Sequence, residues 1–210
     1  QAIVLCKPAI EYNPDEMAFF YYLGMAYYLN NNLDDALNTF RKGTGVINAQ
    51  SDPSLVSDYY GLMGDILHTK GEEASAFAAY DSCLQWKDNN VPCLNNYAYY
   101  LSEKGKNLDK AEQMSYKTIK AEPKNSTYLD TYAWILFMEK RYAEAKIYID
   151  QAVLNDTLKS SVILEHAGDI YARNNDISQA LVYWHESAKT ADTSNKLLFR
   201  KIKLKKYLEK

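Results

Sequence analysis

The sequence has few of the features that define special classes of protein. Its 210 residues include only 8 glycines and 5 prolines, and 47% are hydrophobic and 24% charged. These proportions exclude collagen-like, low-complexity and disordered chains. Charged or amide side chains interrupt every apolar stretch well before the roughly 18 residues that a membrane-spanning helix requires. We therefore expect no transmembrane segment.

Cysteine and histidine are also scarce. Cys6, Cys83 and Cys93 form no C-x-x-C pair, and the three histidines occur in no metal-binding spacing. This pattern excludes a disulfide scaffold and a zinc cage and predicts free thiols. We predict neither a metal nor another cofactor.

Positive charge does not dominate, since 24 Lys and Arg face 27 Asp and Glu for a net charge of −3. Nucleic-acid affinity depends on clustered cations that neutralise phosphates, so we expect no nucleic-acid partner. Phosphate-binding loops and the Ser-His-Asp or Cys-His patterns of nucleophilic catalysis are also missing. We predict that the chain is not an enzyme.

What the sequence does contain is an internal repeat. Small residues recur at spacings of 34, 40, 35, 34 and 35 along the chain, at Ala2, Ala36, Ala76, Ala111, Ala145 and Ala180. In four of these copies a bulky residue follows four positions later: Phe40, Tyr80, Ile149 and Trp184. A regular period of this kind is typical of repeat architectures.

A second column of small residues precedes the first one in each copy, at Gly24, Gly64, Ala98, Ala133 and Gly168. Apolar residues surround each member with the i, i+3, i+4, i+7 spacing of one helix face. Each repeat therefore predicts a helix, a polar turn and a second helix. We expect the small residues of the two helices to permit close approach, with bulky residues filling the grooves beside them.

These columns, together with Pro14 and Pro123 between repeats, resemble the tetratricopeptide repeat family. The resemblance implies an all-α, right-handed superhelical solenoid of antiparallel helix pairs with a C-terminal capping helix. Residues 94–152 look like the repeats of bacterial envelope-associated tetratricopeptide lipoproteins, which favours the cell envelope, periplasmic or lipid-anchored, over the cytoplasm.

The repeat columns predict the domain organisation. The solenoid spans residues 1–195, with the second helix of a truncated repeat at 2–13 and full repeats at about 17–50, 57–90, 91–125, 126–160 and 161–193. A basic capping helix spans 196–210. We expect the natural protein to continue upstream, because the repeat at 2–13 lacks its first helix.

In the family that the chain resembles, the first helices line a concave, partner-binding face. Non-core positions on these helices include six acids and one base, so we predict an acidic groove with aromatic anchors. Its candidate residues are Tyr21, Tyr22, Met25, Tyr28, Asp58, Asp65, His68, Asn95, Asn96, Tyr99, Asp130, Trp134, Phe137, Glu165, Asp169 and Arg173. The alternative for any single tyrosine is packing between repeats.

The predicted function is a non-enzymatic protein–protein interaction scaffold or adaptor that binds a basic or apolar segment of another protein or peptide. The alternative is a repeat region of a larger enzyme or transport machine that acts as a spacer or assembly module. Residues 196–210 carry a net charge of +6. They predict a solvated cap, a helix lying on anionic lipid, or self-association through docking into the acidic groove of a neighbouring molecule.

Overall fold

The computed structural model describes residues 2–209, with Ala2 described by its backbone alone. Over this range the chain forms twelve α-helices and no strand. Their bounds are α1 Ala2–Tyr12, α2 Met17–Leu29, α3 Leu33–Thr44, α4 Pro53–Thr69, α5 Glu73–Trp86, α6 Val91–Glu103, α7 Leu108–Ala121, α8 Ser126–Met138, α9 Tyr142–Asn155, α10 Ser161–Arg173, α11 Ile177–Ser187 and α12 Lys196–Leu204.

The chain divides into two compact units, with unit 1 ending at Cys93 and unit 2 beginning at Leu94. In unit 1, α2 packs on α3, α3 on α4 and α4 on α5. In unit 2, α7, α8, α9, α10 and α11 pack in the same sequential manner. Each unit is thus a stack of helix pairs, and the predicted all-α fold class is confirmed.

Each full helix pair turns through a residue in the left-handed region. The turn residues with positive φ are Asn31, Gly71, Gly105, Asn107, Lys140 and Asn175. Glycine and asparagine take this conformation at low cost, as the polar turns predict. Lys140, with φ 64°, does not follow that rule.

Two glycines show how closely the helices of a pair approach. A Cβ placed on Gly64 would lie 2.4 Å from the ring of Tyr80, and one on Gly168 would lie 2.3 Å from the ring of Trp184. Each ring belongs to the bulky residue of the same repeat. The bulky residue of the second helix therefore packs directly over the glycine of the first helix. The glycine lies directly against a buried ring, because a ring at that position fills the space that a side chain would otherwise need.

Two boundaries differ from those that the sequence predicts. The first helix of the repeat predicted at 57–90 begins at Pro53, where the Asp52 carboxylate accepts a hydrogen bond from the Ser54 amide at 3.0 Å. The capping helix predicted for 196–210 ends at Leu204, because Lys205 adopts a φ of 52° and turns the chain out of the helix.

Between residues 2 and 209 no helix combines the length and the apolar character needed to cross a bilayer. The two buried cysteines, Cys83 and Cys93, and the partly exposed Cys6 are free thiols.

Candidate partner-binding faces

One column of predicted site residues directly follows the small residue of each first helix: Met25, Asp65, Tyr99, Trp134 and Asp169. The two acids of this column are bonded to the core of their own repeat. The Asp65 carboxylate accepts the Tyr80 hydroxyl at 2.6 Å, and the Asp169 carboxylate accepts the Trp184 indole N–H at 3.0 Å. A carboxylate at this position therefore also holds the ring that packs on the preceding glycine.

The predicted site residues of unit 1 lie on α2 and α4, and we call this surface the α2–α4 face. Its members are Tyr21, Tyr22, Met25 and Tyr28 on α2, and Asp58, Asp65 and His68 on α4. Tyr22 is 58% exposed and Asp58 is exposed, while the other five are partly exposed. None of the seven is buried, so the face is accessible to a partner.

The tyrosines of the α2–α4 face lie beside its carboxylates. The ring of Tyr21 lies 5.7 Å from that of Tyr22 and 5.6 Å from that of Tyr59, measured between centroids. Burial raises the pKa of Tyr21, and the Asp58 carboxylate raises it further. Burial and the Asp65 carboxylate act in the same way on Tyr28. Both hydroxyls therefore stay protonated at neutral pH, and the face combines rings, hydroxyl groups and negative charge.

The predicted site residues of unit 2 have a different environment. The prediction that Trp134 and Phe137 are accessible anchors is wrong for this structure, since both side chains are buried. The Trp134 ring stacks on Phe137 at 4.8 Å and on His166 at 4.0 Å between centroids, and its indole N–H donates to Glu103 at 3.1 Å. With two rings stacked against it, the Trp134 side chain is only 5% exposed.

A buried ion pair lies beside this stack. His166 Nδ1 is 3.0 Å from both carboxylate oxygens of Asp130, and both side chains are buried. Burial alone would lower the pKa of His166, but the carboxylates of Asp130, Asp169 and Glu103 outweigh it and raise the pKa above its ordinary value. Asp130 is therefore held by the core and is not available to a partner.

The remaining site residues of unit 2 are Asn95, Asn96, Tyr99, Glu165, Asp169 and Arg173. Asn95 is buried and donates to Asn96 at 3.2 Å, and its side-chain oxygen has no partner among residues 2–209. Asn96 and Tyr99 are partly exposed, and Arg173 is exposed. The prediction that Asn95 is accessible to a partner is therefore wrong for this structure, whereas Asn96 remains partly exposed.

The acids of α10 are neutralised by the same chain. The Lys201 ammonium on α12 contacts Glu165 at 2.8 Å and Asp169 at 2.6 Å, and Asn195 donates to Glu165 at 2.8 Å. Burial acts to raise the pKa of Glu165, but the bonds from Lys201 and Asn195 and the charge of His166 outweigh it and lower the pKa. Lys201, one of the basic residues of 196–210, therefore pairs with acids of its own unit.

A cavity of about 750 Å³ remains beside α12 in unit 2. We call it the tail pocket, and we call residues 205–209 the tail. Tyr142, Tyr207 and Glu209, which sequence reasoning missed, line the pocket together with Phe137 and Arg173. Apart from His166, its wall has equal numbers of acids and bases: Glu103, Glu165, Asp169 and Glu209 against Lys140, Arg173, Lys196 and Lys201. The predicted acidic character therefore does not hold here, because Lys196 and Lys201 of α12, with Lys140 and Arg173, balance the acids.

The helix pairs and their spacing define a class of protein. Residues 57–90 match the family model of the tetratricopeptide repeat, and the chain has the tetratricopeptide-repeat fold. Repeats of this family generally mediate protein–protein interactions.

Solved structures of low sequence identity share the fold. Pseudomonas aeruginosa PilF matches with a TM-score of 0.70 at 21% identity, over 90% of this chain and 83% of that chain. A tetratricopeptide repeat protein from Parabacteroides merdae matches with a TM-score of 0.65 at 14% identity, over 97% of this chain and 76% of that chain.

Among curated proteins, the chain is similar to Stress-induced-phosphoprotein 1 of Caenorhabditis elegans, with 29% identity over 113 residues. The match covers 51% of this chain and 32% of the relative. The chain thus spans about a third of the length of the curated relative that it matches.

Proposed function

We propose that the chain is a non-enzymatic interaction scaffold that binds a segment of another protein on its α2–α4 face. The observation that carries this proposal is the accessibility of the face: Tyr21 and Tyr28 of α2 lie beside acids of α4, and none of the seven residues is buried. Large rigid rings supply contact area at small cost in conformational entropy and are enriched at interface hot spots.

The chemistry of the face favours a basic or apolar partner segment. The carboxylate of Asp58 is exposed and accepts one hydrogen bond, from Asn90 at 2.9 Å. A lysine or arginine of the partner would gain a charge-assisted bond here, while its alkyl stem covers the neighbouring ring of Tyr21. A partner rich in acids would be repelled by Asp58 and Asp65.

Site-specific photo-crosslinking tests the proposal in the native cells. A photoreactive phenylalanine analogue replaces Tyr22 in one variant and the exposed Tyr12 of α1, outside the face, in a control variant. We expect one protein to crosslink at position 22 and not at position 12.

Affinity measurements with the captured protein then test the chemistry. We expect Tyr22→Ala and Asp58→Lys each to weaken binding at least tenfold and Tyr12→Ala to leave it unchanged. Crosslinking at position 12 alone, or affinity that is insensitive to both substitutions on the face, would contradict the proposal.

The alternative, a spacer or assembly module of a larger enzyme or transport machine, predicts a different result. In that case the protein captured at position 22 is a catalytic or transport subunit that retains its activity when Tyr22 is replaced, since a spacer positions its partner without contributing chemistry. If replacing Tyr22 abolishes both binding of this subunit and assembly of the larger machine, the result would favour this alternative over a free adaptor.

A further inference from the structure

The tail leaves α12 and lies along the wall of the tail pocket. The turn at Lys205 is followed by one backbone hydrogen bond, from the Lys206 amide to the Lys201 carbonyl at 3.3 Å. Beyond it, residues 207–209 have no backbone–backbone hydrogen bond within the described part of the chain. Side chains alone therefore hold the end of the tail in the pocket.

Two side chains of the tail make specific contacts. The Tyr207 ring meets Phe137 edge to face, with centroids 5.5 Å apart and an interplanar angle of 71°. The Arg173 guanidinium lies 4.6 Å from the centre of the Tyr207 ring and donates to the Glu209 carboxylate at 2.9 Å. A single arginine thus contacts an aromatic ring and a carboxylate that follows it by two residues.

The contacts of the tail are separable from those of α12. Leu198 is fully buried and Lys201 is bonded to two acids of α10, so α12 is fixed independently of the tail. The Arg173–Glu209 pair is exposed, and exposed ion pairs contribute little to stability. Release of the tail would open the pocket without unfolding the helix that precedes it.

We propose that the tail pocket binds a partner segment in which an aromatic residue is followed two positions later by Asp or Glu, and that the tail competes for this site within the same chain. The partner's ring would take the place of Tyr207 against Phe137 and Arg173, and its carboxylate would take the place of Glu209. The inference rests on the proposed function, because it gives the scaffold a second binding face with a different specificity.

Tethering makes the tail an effective competitor even though its contacts are few. A ligand on a short flexible connection has an effective concentration on the order of millimolar. The apparent affinity of a separate segment is its intrinsic affinity multiplied by the fraction of molecules in which the pocket is vacant. Variants that release the tail should therefore bind such a segment more tightly.

A fluorescein-labelled peptide with the sequence of residues 203–210, KLKKYLEK, serves as the probe. Fluorescence anisotropy measures its binding to the full chain and to the full-chain variants Tyr207→Ala, Tyr207→Phe and Glu209→Lys. We expect at least tenfold tighter binding to Tyr207→Ala than to the unaltered chain. Tyr207→Phe, which keeps the ring in the pocket, should resemble the unaltered chain, and Glu209→Lys, which repels Arg173, should fall between them.

The peptide itself provides the specificity control. A peptide with alanine in place of its tyrosine keeps every charge, and we expect it to bind Tyr207→Ala at least tenfold more weakly. Adding Arg173→Ala to Tyr207→Ala should remove the preference for the peptide's acid. Three results would overturn the inference: equal affinity for the unaltered chain and its three single variants, an affinity that does not depend on the peptide's tyrosine, or no binding of the peptide to any of these chains.

This outcome is independent of the test on the α2–α4 face. Tyr22→Ala should leave peptide binding unchanged, because Tyr22 belongs to unit 1. A negative peptide result with crosslinking at position 22 overturns the pocket inference and leaves the proposed function in place. Peptide binding without crosslinking at position 22 contradicts the α2–α4 face and leaves the tail pocket as the binding face of the scaffold.

Discussion

Asp65 in unit 1 and Asp169 in unit 2 occupy the same position of the repeat, yet their surroundings differ. Each follows a glycine and accepts a hydrogen bond from the buried ring of its own repeat, Tyr80 or Trp184. Asp65 is partly exposed on an accessible face, whereas Asp169 is buried and bonded to Lys201. The repeat determines the bond to the core, and the residues that follow the last repeat determine whether the acid is accessible.

The same difference separates the two sets of predicted anchors. On the α2–α4 face the rings of Tyr21 and Tyr22 are accessible, but in unit 2 Trp134 and Phe137 are enclosed by His166 and Tyr207. Similar chemistry on a first helix therefore gives an accessible face in one unit and an occupied pocket in the other. Substitutions at matched positions of the two units test this difference.

The largest effect is expected from the buried ion pair of α12. Lys201→Met keeps the length of the alkyl stem but removes the ammonium group, which leaves Glu165 and Asp169 without their cation in a site where the lysine side chain is only 2% exposed. Removing one partner of a buried pair typically costs about 3–5 kcal/mol. We expect a loss of this size in the opening free energy of α10, measured by amide hydrogen exchange.

Lys70→Met is the matched control in unit 1. Lys70 pairs with Asp34, whose side chain is 78% exposed, so water replaces the lost contact. We expect nearly unchanged hydrogen exchange in α4 and α5. Effects of similar size at the two lysines would show that burial does not distinguish the units in the way the comparison requires.

A smaller effect, common to both units, is expected at the glycines that contact rings. In Gly64→Ala and Gly168→Ala the added methyl group would lie 2.4 Å and 2.3 Å from the neighbouring rings. Overpacking of this kind costs about 1–3 kcal/mol. We expect lower midpoints of thermal unfolding for both variants, with the larger loss at Gly168, since the ring of Trp184 is larger than that of Tyr80 and both rings are held by a carboxylate.

Gly61 in α4 offers a control on the same helix as Gly64. A Cβ at Gly61 would lie 3.5 Å from the sulfur of Cys83, an ordinary contact. Alanine is better than glycine in a helix by about 1 kcal/mol, so Gly61→Ala should be neutral or stabilising. If Gly64→Ala is as stable as Gly61→Ala, the close contact with the ring does not determine the cost of a side chain at position 64.

The helix pairs are predictable from the sequence because they depend on contacts that every repeat makes. The columns of small and bulky residues locate Gly168 and Trp184 in the same pair, and the polar turns locate Asn31 and Gly71. The closing of the unit 2 groove is not predictable in this way. Trp134 is enclosed by His166, which lies in the next repeat, and Phe137 by Tyr207, which lies in the non-repeating end of the chain.

The net positive charge of residues 196–210 indicates that this segment could cover the site residues of unit 2, since it complements the acids of α10. Charge alone does not tell whether a basic segment binds its own chain or another molecule. The turn at Lys205 directs the tail back to its own unit, and a lysine with positive φ is uncommon enough that the sequence does not predict it. The residue types that form the site could therefore be predicted from the sequence, but the segment that occupies it could not.

The smallest expected effect is a pH dependence confined to unit 2. Burial acts to lower the pKa of His166, but Asp130, Asp169 and Glu103 raise it overall. Because the folded pKa then lies above the unfolded value of about 6.5, protonated His166 stabilises unit 2 fully below pH 6.5. This stabilisation is lost as the pH rises through the folded pKa.

Hydrogen exchange in α8 and α10, compared between pH 6 and pH 9 after correction for the intrinsic exchange rate, measures this loss. His166→Gln should flatten the dependence, since the amide carries no titrating proton, by about 1.4 kcal/mol for each unit of displacement of the pKa. The exposed His185→Gln, which also removes one histidine, should keep the profile of the unaltered chain. Helices α2 and α4 should respond to neither substitution, and a response there would mean that the two units do not have independent electrostatics.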